Sequence, residues 1–235
     1  MKSILSKIFF LLVFLILNGI CANAQSQSSG LANYSSAQVV RVKAMTTMSK
    51  KDWNNVIYRL PEFQNGKVTF KDGTSSSDSP VLNYNINFEK IVVAENKDTV
   101  ELKNSTNVKS VTIGSRVFFN NSPKGFVEKL NQTPVALGAR PLLKVMYENS
   151  NGERFAATDW DLPTSKYDRL YTEQEEYYFI DKQENTFRAT LPSIKKIYKP
   201  SKKVVRKYVK ENKIDFNKKD NLLQLLDFCK DKTTK

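Results

Sequence analysis

The period of apolar and polar positions changes twice along this chain. It begins with an almost unbroken apolar run from Ile8 to Ile20, interrupted by Asn18 and Gly19. Lys2 and Lys7 precede the run and Ala22-Asn23-Ala24 follows it, which is the order of charged region, apolar region and small-residue cleavage site in a secretory signal peptide. Residues 1–24 are therefore predicted to be a signal peptide, and the polar, aperiodic residues 25–38 a flexible leader. Ordered structure is predicted from Val40, Val42 and Ala44, which alternate with Arg41 and Lys43. A short helix follows, from an N-cap at Ser49 through Trp53 and Ile57, ending before Pro61.

Period two governs residues 67–120. Turn dipeptides Asn65-Gly66 and Asp72-Gly73 bracket Lys67 to Lys71, with Val68 and Phe70 on one face. Leu82, Tyr84, Ile86 and Phe88 alternate with Asn83, Asn85 and Asn87, predicting a strand with one buried and one wet face. Val111, Ile113, Val117 and Phe119 share one parity, opposite Thr112 and Arg116. Two more hairpins are predicted, one turning at Asn151-Gly152 between Leu143–Tyr147 and Arg154–Ala157, the other near Gln183 to Asn185 between Tyr177–Ile180 and Thr186–Ala189.

After Pro192 the period becomes helical. Pro200 and Ser201 suit a helix start, and Val205, Tyr208 and Val209 form an apolar stripe surrounded by lysine and arginine. Asn217, with Asp220 three residues on, opens a second helix carrying Leu222, Leu223, Leu225, Leu226 and Phe228. The predicted architecture is α+β: an antiparallel β domain over residues 39–192, either open or curled into a partly closed barrel, followed by a basic helical hairpin over residues 193–235. No second apolar run is long enough to span a membrane, so no transmembrane segment is expected in the mature chain.

Composition narrows the chemistry. The 235 residues contain no histidine, which removes the Ser-His-Asp triad, the Cys-His pair, the HExxH zinc site and any imidazole general base. None of the eight glycines forms a GxGxxG or GxxxxGK[ST] loop, so no nucleotide cofactor is expected, and no G-x-S-x-G turn supports serine hydrolysis. Cys21 could carry a lipid anchor, but Asn18-Gly19-Ile20 lack the leucine and small-residue pattern for it. With Cys21 removed, Cys229 is the only thiol, which excludes an intramolecular disulfide and fits a small apolar residue packed on a helix.

The formal charge is +13, and residues 195–235 concentrate it: fourteen basic residues against five acidic ones. Lys202, Lys203, Arg206, Lys207, Lys210 and Lys213 form the anion-binding candidate, suited to lipid headgroups, lipopolysaccharide or another polyanion; the plainer reading is a solvated helix face. Nucleic acid is not expected as a partner, since export separates the protein from it. Asp159, Asp161, Asp168, Glu173, Glu175 and Glu176 could supply calcium ligands or a glycosidase carboxylate pair, but the EF-hand spacing and its glycine are missing, so no metal or catalytic residue is assigned. Trp160 reads as an anchor pinning that loop to the sheet. Asn33, Asn104, Asn120 and Asn131 begin N-x-Ser/Thr triplets, and Asp98-Thr99-Val100 is similar to a short bacterial O-glycosylation pattern; both are weak signals.

The layout of residues 63–73, with Leu82-Asn83-Tyr84-Asn85, Val111-Thr112-Ile113-Gly114 and Phe118-Phe119, resembles that of secreted Bacteroidota envelope proteins of unknown function. Residues 207–216 with Leu222-Leu223-Gln224-Leu225-Leu226 resemble the C-terminal helices of the same group. The likeness implies an exported protein of the periplasm or outer membrane and supplies no catalytic residues. Residues 148–176 are longer than in that layout, which directs any specialised role there. The sequence thus favours a non-catalytic binding or structural protein whose basic helix contacts an anionic envelope component. The alternatives are a carboxylate-dependent glycan-active enzyme using Asp159, Asp161 or Glu175, and a subunit that binds an envelope protein through sheet edges or the Asn83/Asn85 face.

Overall fold

In a computed structural model of the chain, the described residues are 39–43, 46–96, 98–103, 105–156 and 166–230. The signal peptide and leader, together with Ala44, Asn104, Asp159, Trp160 and Asp161, lie outside them. Twelve strands form one antiparallel sheet: β1 Val39–Val42, β2 Gln64–Phe70, β3 Val81–Asn85, β4 Lys90–Glu95, β5 Asp98–Glu101, β6 Val108–Ile113, β7 Arg116–Asn120, β8 Phe126–Lys129, β9 Ala136–Glu148, β10 Arg154–Ala156, β11 Asp168–Ile180 and β12 Thr186–Arg188. The order β1-β11-β9-β8-β7-β6-β2-β3-β4-β5 does not close on itself, with β10 on β9 and β12 on β11. The expected α+β class holds; the partly closed barrel does not, because β1 and β5 remain separate edges.

Alternation is broken where the sheet bends. Asn65-Gly66 is not a turn but a corner inside β2: Gln64 and Asn65 pair with β3, while Gly66 to Phe70 pair with β6. Only glycine fits there, since a Cβ on Gly66 would lie 2.5 Å from the Thr112 carbonyl oxygen and 2.6 Å from Leu82. The corner folds β3–β5 over β6–β8, and Tyr84 stacks on Phe118 with ring centroids 5.5 Å apart. Leu82, Tyr84, Ile91, Val111, Ile113 and Phe118 fill the resulting core.

The opposite face of β3 is not wet. Asn83 and Asn85 are both buried, while Phe88, expected inside, is 66% exposed on the β3–β4 turn. Each asparagine replaces backbone partners. Asn83 accepts from Leu60 N–H at 3.1 Å and donates to the Leu60 carbonyl at 2.9 Å, and Asn85 accepts from the Asn87 and Phe88 amides. The β6–β7 hairpin also corrects the expected parity. Its two-residue turn pairs Ile113 with Arg116 and Val111 with Phe118, so Arg116 shares the Val111 face and Phe119 lies on the other.

The Asn151-Gly152 and 183–185 hairpins form as expected. Residues 168–176, however, are the first part of one long strand. Asp168–Ile180 pairs with Ala136–Glu148 at all thirteen positions, and the charges of Glu173, Glu175 and Glu176 hide its strand character from the hydrophobic pattern.

Helix α1 (Lys50–Ile57) is capped by Ser49, whose hydroxyl accepts from the Asp52 amide at 3.1 Å. Its Val56 and Ile57 pack with Val42 and Tyr171. At the C-terminus there are three helices rather than a pair: α2 (Leu191–Ile197), capped by Thr190, then α3 (Lys202–Glu211) and α4 (Lys219–Lys230). α4 begins two residues after Asn217, whose amide donates to Asp215. Leu222, Leu225, Leu226 and Cys229 pack with Ile194, Tyr198 and Val205 and with Leu137 and Phe179 of the sheet, so helices and sheet share one core. No described helix is long and apolar enough to cross a membrane.

Candidate functional site

The position of α3 is fixed by its apolar stripe. Val205 is fully buried, Ile214 nearly so, and Tyr208 stacks on Phe228 of α4 with ring centroids 3.7 Å apart. At about 100° per residue this turns Lys202, Arg206 and Lys210 into one row and Lys203 and Lys207 into a neighbouring row, together a basic arc of about 140°. All five are exposed, as is Lys213 just beyond the helix, so the structure brings all six expected basic residues to solvent, five of them on one element.

Little compensates their charge. Among the described residues the single acidic neighbour in an ion pair is Glu211, whose carboxylate is 3.8 Å from Lys207 Nζ with both side chains mostly exposed. Such a pair contributes well under about 1 kcal/mol. Rows of like charge at i, i+4 repel each other. The first turn of α3 carries no acid, and Lys202 and Lys203 sit where the helix dipole disfavours cations, whereas Lys210 in the last turn is complementary to it. Local stability therefore does not explain the two N-terminal lysines. Val204, 49% exposed, adds an apolar side chain on the same helix.

The acidic segment behaves differently. Every carboxylate of it that is described bonds a guanidinium: Asp168 to Arg41, Glu173 and Glu175 to Arg59, Glu176 to Arg140. Arg59 leaves α1 on a short extended run whose backbone pairs with β3, with Arg59 N–H donating to the Tyr84 carbonyl and Ile86 N–H to the Ile57 carbonyl. Its side chain, 3% exposed, enters a space on the sheet face where β8 and β11 present Glu128, Glu173 and Glu175. Arg59 Nε donates to Glu128 at 2.8 Å and Nη2 to Glu175 at 2.7 Å, while Nη1 bonds Glu173. Arg116 binds the other Glu128 oxygen at 3.0 Å, and the Tyr177 hydroxyl donates to Glu175 at 3.0 Å.

Burial opposes the charge on Arg59, but the three carboxylates prevail and raise its pKa above the ordinary arginine value. Burial, with the neighbouring Glu175 and Glu128 charges, pushes the Glu173 carboxyl up against the lowering effect of Arg59. Three acids against Arg59 and Arg116 leave the cluster one negative charge in excess when all are ionised. Its geometry suits a clasp joining the segment after α1 to β8 and β11, in which Glu175, the one described residue of the glycan-enzyme alternative, is a counter-ion of Arg59. Sequence reasoning missed Arg59 and Glu128; the one available signal was a glutamate inside the short apolar strand Phe126-Val127-Glu128.

Among the described residues, no group of three or more Cys, Asp or Glu side chains is placed to hold a metal ion. The side-chain amide of Asn120 is held by the Ser105 and Val108 carbonyls, the Asn131 oxygen accepts from the Leu137 amide, and Thr99 lies on exposed edge strand β5. Cys229 is fully buried. Comparison of the chain with protein-family models, with curated proteins and with solved structures yields no match in any of the three.

Proposed function

We propose that this is an exported, non-catalytic binding protein of the bacterial envelope whose α3 face contacts an anionic component, a phosphate-bearing lipid headgroup or lipopolysaccharide. The observation that carries the reading is the exposed arc of Lys202, Lys203, Arg206, Lys207 and Lys210, continued by Lys213, with one long acidic pairing and with two cations at the unfavourable end of the helix. Charges that weaken their own helix are accounted for when a partner neutralises them. The Tyr208–Phe228 stack and the shared core hold the arc in place, which lowers the ordering that binding has to supply. Periplasmic or outer-membrane location rests on the signal-peptide pattern and on the likeness to secreted Bacteroidota proteins.

The test is co-sedimentation of residues 25–235 with phosphatidylglycerol vesicles, with lipopolysaccharide and with neutral phosphatidylcholine vesicles. The intact protein is expected to sediment with the anionic surfaces only. The Lys203→Glu, Lys207→Glu chain is expected to lose that attachment and keep its circular dichroism. Each basic residue near an anionic surface contributes about 1 kcal/mol, so losing two weakens binding by about 30-fold and reversing them by more. Unchanged attachment of the double variant would overturn the proposal.

A further inference from the structure

A second region has the features of a small-ligand site, and its geometry comes from residues unrelated to the basic helix. The β3–β4 turn, the end of β5, the short turn Ser105–Asn107 and the β7–β8 loop enclose a cleft of about 180 Å³. Its walls are tied to one another. Asn85 accepts from the Asn87 and Phe88 amides, which fixes the turn that presents Phe88. Glu89 follows in the left-handed region at φ 58°, and Gly125 opposite it at φ 74° allows backbone contact: a Cβ there would lie 2.7 Å from the Glu89 carbonyl oxygen. The Asn120 amide bonds two carbonyls on one side and accepts from Ser122 N–H on the other. Ile91 and Phe126 form a buried apolar base.

Phe88 lines this cleft while 66% exposed, the most exposed of the large apolar side chains described. A strained residue beside an uncovered aromatic ring in a hydrogen-bonded frame is a pattern of functional sites rather than of stability. The polar lining states what would fit. Glu89 accepts from Arg140 and Glu101 from Lys90 through one oxygen each, so among the described residues each carboxylate keeps a second oxygen for a ligand. Ser105 and Ser122 also line the space. The one lysine among the described lining residues, Lys90, is already paired with Glu101, so this lining offers no spare cation for a phosphate or carboxylate. It is rich in acceptors, with an aromatic face whose negative quadrupole attracts C–H groups. Its volume lies below the roughly 300 Å³ at which drug-sized sites begin, so it takes one ring.

We propose that this cleft binds a single neutral sugar ring, with the hydroxyls donating to Glu89 and Glu101 and the C–H face stacked on Phe88. The proposal does not depend on the reading of α3. The test is amide chemical-shift mapping of residues 25–235 with glucose, galactose and N-acetylglucosamine as probes, and inorganic phosphate as control. At least one sugar is expected to shift the amides of Phe88 to Ile91 and of Ser122 to Phe126 (Pro123 having none), with a dissociation constant on the order of millimolar. Phe88→Ala is expected to weaken that binding at least about tenfold with the rest of the spectrum unchanged, since an exposed ring on a turn contributes little to folding. The Lys203→Glu, Lys207→Glu chain is expected to bind the sugar as before. The proposal is overturned if no sugar shifts these amides, if Phe88→Ala binds equally well, or if phosphate produces the larger shifts.

Discussion

Replacing Arg59 by methionine removes the charge on which three carboxylates converge and keeps most of the side-chain volume. The arginine side chain is 3% exposed and Glu128 is 6% exposed, so the interaction is a buried one. Removing one partner of a buried ion pair costs about 3–5 kcal/mol when the remaining charge stays buried, as Glu128 does, while Glu173, a third exposed, regains part of its hydration. Arg116 still holds Glu128, which puts the expected loss near the middle of that range, about 4 kcal/mol. Against the roughly 5–15 kcal/mol of an ordinary domain that is a large fraction. The assay is urea unfolding of both proteins across a pH series. Glu173 already has its carboxyl pushed above the ordinary value by burial, and without Arg59 the shift increases. A carboxyl with a raised folded pKa binds protons more readily when folded, so its penalty is full above that pKa and fades as pH falls through it. The gap between Arg59→Met and the parent is therefore expected to narrow from about pH 7 toward about pH 4.5. Adding Glu173→Gln to Arg59→Met is expected to restore part of the loss. A loss below about 1 kcal/mol, or one that does not change with pH, would refute the buried-clasp reasoning.

Other perturbations test separate parts of the fold. Asn83→Leu strands the buried Leu60 amide and carbonyl, and should cost about 2–4 kcal/mol in urea unfolding; a neutral result would mean that the Leu60 segment finds other partners. Leu225→Ala, at a fully buried position under the sheet, should cost about 2–5 kcal/mol in a single transition, whereas separate melting of the C-terminal helices would contradict the shared core. Tyr84, Tyr177 and Tyr198 have phenols pushed above the ordinary value, chiefly by burial, with Glu175 adding to it at Tyr177. Their phenolate absorbance should appear only as the protein unfolds, and stability should fall as pH rises past the ordinary tyrosine value of about 10, because the unfolded chain releases those protons first. Smooth early titration of all ten tyrosines would contradict their placement.

Period carried most of the architecture that was legible before the structure. The Asn151-Gly152 hairpin, the Ser49 cap and the amphipathic α3 each express a local rule that tertiary packing obeys, and β6 and β7 form where period two places strands, although Arg116 and Phe119 take the opposite faces to those expected. Two of the failures share a physical cause, which is polar side chains buried against distant partners. Asn83 and Asn85 looked solvent-facing because alternation cannot distinguish water from a backbone segment such as Leu60 as hydrogen-bond partner. Glu173 and Glu175 looked like a loop because their counter-ion, Arg59, lies 114 and 116 residues away in sequence. Gly66 looked like a turn, although the close approach of Thr112 and Leu82 demands a glycine within a strand. The basic helix was legible because its stripe is local, whereas the cleft beside Phe88 was not, being assembled from four separate segments.

Binding to phosphatidylglycerol vesicles as a function of salt, with the whole chain from residue 25 and its Lys203→Glu, Lys207→Glu form, tests the central claim most directly. Truncation before α2 would be a poor control, since it uncovers Leu137 and Phe179. The account expects affinity to fall steeply from roughly 50 mM to roughly 0.5 M NaCl as the arc is screened, with a shallower slope and at least about 30-fold weaker binding at low salt in the charge-reversed chain. Affinity indifferent to salt, or equal in the two proteins, would make the arc of α3 a solvated face and contradict the proposed function.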